Sequence, residues 1–143
     1  EAQSIQAQLA DININVEIES LELSVYVDRW LAADFDAAVA LNGGRPDPYT
    51  MYVRYWTSDG NLNKVAGYSD EKLDELMARG RVETDPEARF EIFAEFQRHL
   101  VEMAPWVWLY VSPEYTAQQP YVTGFIPNPS DSLYTLAQVR LER

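Results

Sequence analysis

The stretch from Gly67 to Val111, GYSDEKLDELMARGRVETDPEARFEIFAEFQRHLVEMAPWVWLYV, decides how the rest of the chain is read. Leu73, Leu76 and Met77 recur at helical spacing, and a start signal precedes them. Ser69 fits the N-cap, and Asp70 and Glu71 fall in the first turn, where the helix dipole favours anions. A helix is predicted over Asp70–Arg81. A second start signal follows at once: Thr84 and Glu87 have capping-box spacing, and Pro86 suits a first helical turn. The second helix is predicted over Pro86–Met103, with Phe90, Phe93, Phe96, Leu100 and Met103 as a broad apolar face. Pro105 ends it. Trp106–Val111, WVWLYV, then reads as an aromatic strand. The stretch holds no nucleophile, metal cluster or phosphate loop, which points to a scaffold that holds something rather than converts it.

Upstream, elements alternate. Ile5, Leu9 and Ile12 predict a helix to about Asp11, and Val16–Glu19 alternates as a strand. Ser24 is placed to cap a short helix over Val25–Ala33, and Phe35–Leu41 reads as a buried strand. Strand, helix and strand in that order imply a right-handed crossover between parallel strands. Asn42–Pro48, NGGRPDP, is the strongest loop signal in the chain. Pro48 suits the first residue of a helix over Pro48–Trp56, with Asp47 as its cap. Ser58–Gly67 is a polar loop. Downstream, Glu114–Gln119 reads as a short strand, GFIPNPSDS (124–132) as a loop and Tyr134–Leu141 as a last strand. The fold class expected is α/β, a mixed sheet flanked by helices. Leu73, Leu76, Phe93, Phe96 and Leu100 should pack the two long helices together.

Composition bounds the function. The chain has 143 residues and 47% apolar content, enough for one globular domain with a core. Its net charge of −12 argues against nucleic acid and against anionic membrane surfaces. With no cysteine there is no disulfide framework and no thiolate chemistry. No apolar run approaches the roughly 20 residues of a membrane-spanning helix. The first residues already have the pattern of a helix interior, without a capping residue before them. The chain is therefore expected to be a piece of a longer protein.

The same elements resemble the C-terminal lobe of the family 5 solute-binding proteins of ABC transporters for peptides and nickel. EAQSIQAQLADININVEIE (1–19) is similar to the family's helix and strand before the ligand cleft, and FDAAVALNGGRPDPY (35–49) to its strand and DP turn. GYSDEKLDELM (67–77) resembles its tyrosine, turn and helix. DPEARFEIFAEFQRHLVEMAPWVWLYV (85–111) resembles its long helix, A-P break and aromatic strand, and VTGFIPNP (122–129) the turn that follows. The resemblance implies one partial lobe of a two-lobe periplasmic binding protein type II fold. It also implies that residues 134–143 return toward a first lobe absent from this chain. Such proteins trap a small solute, a peptide or another, by closing two lobes, and deliver it to an ABC permease in the membrane. They work in the periplasm, or lipid-anchored outside the membrane of a one-membrane cell. A single lobe has an uncovered cleft face, which favours self-association.

The loop at the exit of Phe35–Leu41 is the candidate site, because ligands of α/β sheets gather outside the carboxyl ends of parallel strands. Asn42, Gly43, Gly44, Arg45 and Asp47 form it. Gly43 and Gly44 allow close backbone approach, and Arg45 offers a fork of donors. Asn61 and Asn63 lie in a second loop that faces the cleft if the resemblance holds. Each has a plainer reading: Asp47 fits a helix cap better than a ligand contact, Arg45 serves equally as a solvated loop residue, and the asparagines suit turns. Many peptide-binding members of the family carry an aspartate for the peptide's amino group a few residues before the DP proline, and counting four back from Pro48 gives the position to compare. Here that position is Gly44. The expected ligand therefore needs no free amino terminus at this point, which leaves a longer peptide, a sugar or another small solute open. Trp106, Trp108 and Tyr110 alternate with Val107, Leu109 and Val111, and one set should face the core. His99, mid-helix, fits a structural or solvated role. Neither a metal nor a cofactor is implied, and no catalytic motif is present. The alternative reading is a carbohydrate-active or other hydrolytic α/β domain, whose paired carboxylates no sequence pattern can reveal.

Overall fold

In a computed structural model, the structure describes residues 1–41, 43, 45–113, 115–128 and 132–142. Six helices come first in chain order: α1 Ala2–Ala10, α2 Leu23–Ala32, α3 Pro48–Trp56, α4 Asn63–Ala66, α5 Glu71–Val82 and α6 Pro86–Met103. Strand β1, Val122–Thr123, a 3-10 turn over Tyr134–Gln138 and strand β2, Arg140–Leu141, follow.

The core is a helical hairpin with a third helix laid on it. Gly80 meets Phe93, Lys72 reaches Glu95 and Asp70 reaches His99, so α5 and α6 run antiparallel. Leu73, Leu76 and Met77 of α5 face Ile92, Phe93, Phe96 and Leu100 of α6, all buried. This matches the expected packing, except that Phe90 and Met103 lie outside the buried stripe. α3 completes the core through Tyr55 and Trp56, and Tyr52 stacks on Phe96 with ring centroids 5.1 Å apart. Trp30 of α2 meets Tyr55 edge-on at 6.5 Å.

The helix starts follow the expected chemistry, with cap positions shifted. Asp47 caps α3 as read: its Oδ2 accepts from Thr50 N at 3.0 Å, and Pro48 opens the helix. For α5 the cap is Asp70, not Ser69, with Oδ1 accepting from Leu73 N at 2.7 Å. For α6 it is Asp85, not Thr84, accepting from Ala88 N at 2.8 Å. In each case a carboxylate takes the place of a neighbouring hydroxyl, because an anion also gains from the helix dipole. Glu22 likewise displaces Ser24 as the cap of α2.

The sheet is where the expectation fails. Val16–Glu19, Phe35–Leu41 and Trp106–Val111 form no ladder, and neither do the described residues of 114–119. The last strand shrinks to Arg140–Leu141, paired antiparallel with Val122–Thr123 in the register Val122↔Leu141 and Thr123↔Arg140, while Tyr134–Gln138 turns as a 3-10 helix. The expected crossover is therefore unformed. Its two flanks are held by side chains instead, Gln6 Nε2 donating to Val16 O at 2.7 Å, Arg29 Nη1 to Glu19 Oε2 at 2.8 Å and Tyr26 Oη to Val39 O at 3.1 Å. A strand is stable only when neighbours take up its N–H and C=O groups. Here apolar alternation exists without neighbours, so Ile12, Ile14, Val16 and Ile18 stay exposed, as does Val111 at 95%. Along 106–111 the expected inward set does not form: only Trp106 turns inward, its ring 4.7 Å from that of Trp56, while Trp108 meets the same ring at 6.0 Å but stays exposed, as do Tyr110 and Val107.

Close packing of the hairpin sets one prediction. A Cβ placed on Gly80 would lie 2.6 Å from Phe93 Cζ, inside the buried interface. Gly80→Ala is expected to destabilise the protein by about 1–3 kcal/mol through overpacking. Urea unfolding reads it, and an unchanged midpoint would contradict the packing.

Candidate functional site

The candidate residues occupy the two ends of α3. At its N-terminal end, Gly43 and Arg45 are exposed and Asp47 is half-buried. Asn42 and Gly44 lie outside the described residues. At the other end, Asn61 is exposed, and Asn63 donates from Nδ2 to Tyr55 O and Tyr68 O, both at 3.0 Å. Leu62 N donates to Arg54 O at 2.8 Å, so this loop folds back on the last turns of α3. A helix the length of Pro48–Trp56 spans roughly 13 Å at 1.5 Å per residue. The structure thus brings Gly43, Arg45 and Asp47 together and sets Asn61 and Asn63 apart from them.

Asp47 is fully engaged. Besides the cap, its Oδ1 receives Arg89 Nη2 at 2.6 Å. Its backbone carbonyl accepts from Thr50 Oγ1 at 2.9 Å and from Met51 N at 3.1 Å. The Arg89 hydrogen bond, with help from the Thr50 amide, holds the Asp47 carboxyl below its ordinary range against the opposing effect of burial. Asp47 therefore anchors the loop. The exposed groups beside it are the backbone at Gly43 and the guanidinium of Arg45, a donor set suited to carboxylate or carbonyl oxygens.

A second cluster joins α5 to α6. Asp70 Oδ2 accepts from Tyr68 Oη at 2.5 Å and meets His99 Nε2 at 2.7 Å, while Oδ1 caps α5. Burial raises the Asp70 carboxyl, but the bonds from Tyr68, the Leu73 amide and His99 outweigh it and the net shift is downward. The same bond to Asp70 pushes the Tyr68 phenol up to about 12. His99 thus has a structural role, and a composite one. Because the folded Asp70 carboxyl lies below its ordinary 3.8, its contribution is complete above that pH and is lost as pH falls through the lower folded value. Asp70→Asn should lower the melting temperature at pH 7, and the gap to the wild type should narrow near pH 3. A gap that widens in acid would contradict this.

Two residues that matter here were missed in the sequence reading, Arg89 and His99 as a partner of Asp70. Both carry a signal. Arg89 shares the helical stripe of Phe93, Phe96 and Leu100, and His99 that of Ile92 and Phe96. A polar side chain on a core stripe implies a partner across the interface.

No family model matches the chain. Related proteins do. The chain is 28% identical to Di/tripeptide-binding protein 2 of Pseudomonas aeruginosa, over 99% of this chain and 27% of that protein. It is 28% identical to Di/tripeptide-binding protein 4 of the same organism, over 90% of this chain and 25% of that protein. The Probable D,D-dipeptide-binding periplasmic protein DdpA of Escherichia coli is also 28% identical, over 90% of this chain and 25% of its own length. By sequence, this chain is similar to dipeptide-binding proteins of the family 5 solute-binding type over most of its length, as a fragment of such a protein would be. It spans about a quarter of the length of the relatives it matches. Among the described residues, no helix is long and apolar enough to cross a membrane.

Proposed function

We propose that this chain is part of the C-terminal lobe of a two-lobe, extracytoplasmic solute-binding protein that captures a peptide and delivers it to an ABC permease, without catalysis. The observation that carries the reading is the match to di/tripeptide-binding proteins over nearly the whole chain. The exposed apolar stretches at Ile12–Ile18 and Val107–Val111 support it. In the longer protein they become strands of a mixed sheet once further chain pairs with them, and residues 134–143 lead back toward the first lobe. The loop 42–47 forms part of the cleft wall, with Arg45 and the backbone at Gly43 turned to the ligand's oxygens. Asn61 and Asn63 belong to the same wall only where the ligand is long enough to span α3. Capture works by closure, and closure requires that the ligand bind the closed form better than the open one.

The test is calorimetry on the full-length protein with alanyl-alanine, trialanine and N-acetyl-alanyl-alanine. Micromolar binding of at least one is expected. With glycine at position 44 in place of an aspartate, acetylation should change the affinity by less than tenfold, and Gly44→Asp should restore a preference for the free amine. Arg45→Ala should weaken binding tenfold or more, about 1.4 kcal/mol. No peptide binding by the full-length protein would overturn the reading. Residues 1–143 alone lack half the enclosure that buries such a ligand, and should bind no tighter than the millimolar range. Micromolar binding by this piece would contradict the two-lobe mechanism.

A further inference from the structure

We infer that Arg89 is a positioning residue for residues 45–47, the entry to α3, clamping Asp47 onto the α5–α6 hairpin. Three contacts from one guanidinium support this. Nη2 bonds Asp47 Oδ1 at 2.6 Å, Nε donates to Gly80 O at 2.9 Å, and Cζ sits 5.0 Å from the centre of the Phe93 ring. Each contact belongs to a different segment: the start of α3, the last turn of α5 and the core face of α6.

The geometry explains why an arginine stands there. Gly80 O is among the last carbonyls of α5, which have no partner within the helix, and a cation at that end also meets the negative pole of the helix dipole. Asp47 has one carboxylate oxygen on the cap and one left for the guanidinium. A planar fork can serve a carbonyl and a carboxylate at once while its flat face lies on an aromatic ring. A lysine ammonium is a point charge and cannot do all three. Phe93 is itself buried, so the fork stands on a rigid base. Among the described residues, no other hydrogen bond or ion pair joins residues 45–47 to the hairpin.

For ligand affinity the consequence rests on the reading of this loop as a cleft wall; the clamp itself does not. Arg89 does not face the solute. It sets where Arg45 stands, two residues before Asp47, so its loss should act on binding through the position of that residue.

Hydrogen exchange by mass spectrometry on the full-length protein tests the clamp without any ligand. The reporters are the amides of residues 49–53, which include Thr50 and Met51, both bonded to Asp47. Arg89→Gln should speed their exchange at least tenfold and leave residues 92–100 unchanged. Arg89→Lys keeps the charge and most of the stem, guards against a variant that fails to fold, and should speed the same amides without restoring the wild-type rate. Arg79→Gln, which removes only an exposed pair with Glu75, should change neither. If 49–53 exchange within twofold of the wild type in Arg89→Lys and Arg89→Gln, or if 92–100 rise by the same factor, the clamp is wrong. Alanyl-alanine titrations of the same variants then separate the two ideas. Faster loop exchange with a tenfold loss of affinity supports both. Faster exchange with unchanged affinity keeps the clamp and overturns the cleft wall.

Discussion

Phe96→Ala is expected to lower the stability of the protein by about 3–5 kcal/mol, the range for removing a buried aromatic ring. Phe96 is completely buried at the point where three helices meet. Its ring stacks on Tyr52 of α3 at 5.1 Å, and Leu73, Leu76 and Leu100 belong to the same cluster. The cavity left by the substitution would be lined from three elements, and none can collapse into it without moving the others. Native stability is commonly about 5–15 kcal/mol, so a loss of this size removes a large part of it. Guanidinium unfolding monitored by circular dichroism measures the effect. Phe96→Leu, which keeps most of the volume, should cost distinctly less. A change below about 1 kcal/mol for the alanine variant would mean that the site relaxes freely and that α3 is not fixed on the hairpin.

Trp56→Ala should have an effect of similar size, about 3–5 kcal/mol, for a different reason. Trp56 is 3% exposed and stands at the centre of an aromatic group rather than of an aliphatic core. Trp106, Trp108 and Tyr55 lie 4.7, 6.0 and 6.3 Å from it, in tilted and edge-on arrangements. Such pairs contribute roughly 0.5–1.5 kcal/mol beyond their buried area. Trp106 adds a hydrogen bond from Nε1 to Ala66 O at 3.3 Å. These contacts fix the segment after α6, which has no strand partner. Trp56→Ala should therefore also free residues 106–111, seen as a loss of near-ultraviolet dichroism and as rapid proteolysis after Met103. Trp56→Phe should retain much of both. A stable Trp56→Ala protein with an unchanged near-ultraviolet spectrum would show that the segment is held elsewhere.

The sequence by itself determined the local features. The helices over 48–56, 71–82 and 86–103 were legible because their signals are local: capping residues near their starts, Pro48 and Pro86 in first turns, and apolar residues at helical spacing. The inner stripe of Leu73, Leu76, Phe93, Phe96 and Leu100 followed from the same periodicity. The resemblance to the family was legible from the order of its motifs along the chain. Only the tertiary structure decided the rest. Whether Val16–Glu19 or Trp106–Val111 becomes a strand depends on a neighbour, and alternation alone supplies none. The Asp70 cap also reaches His99, 29 residues away, a partner that no local pattern announces. The Arg89–Asp47 bond spans 42 residues and joins a core-facing arginine to a cap. Each half was readable alone, but the pairing exists only because α3 and α6 are folded against the same hairpin, and a pairwise contact across that distance has no local periodicity to announce it.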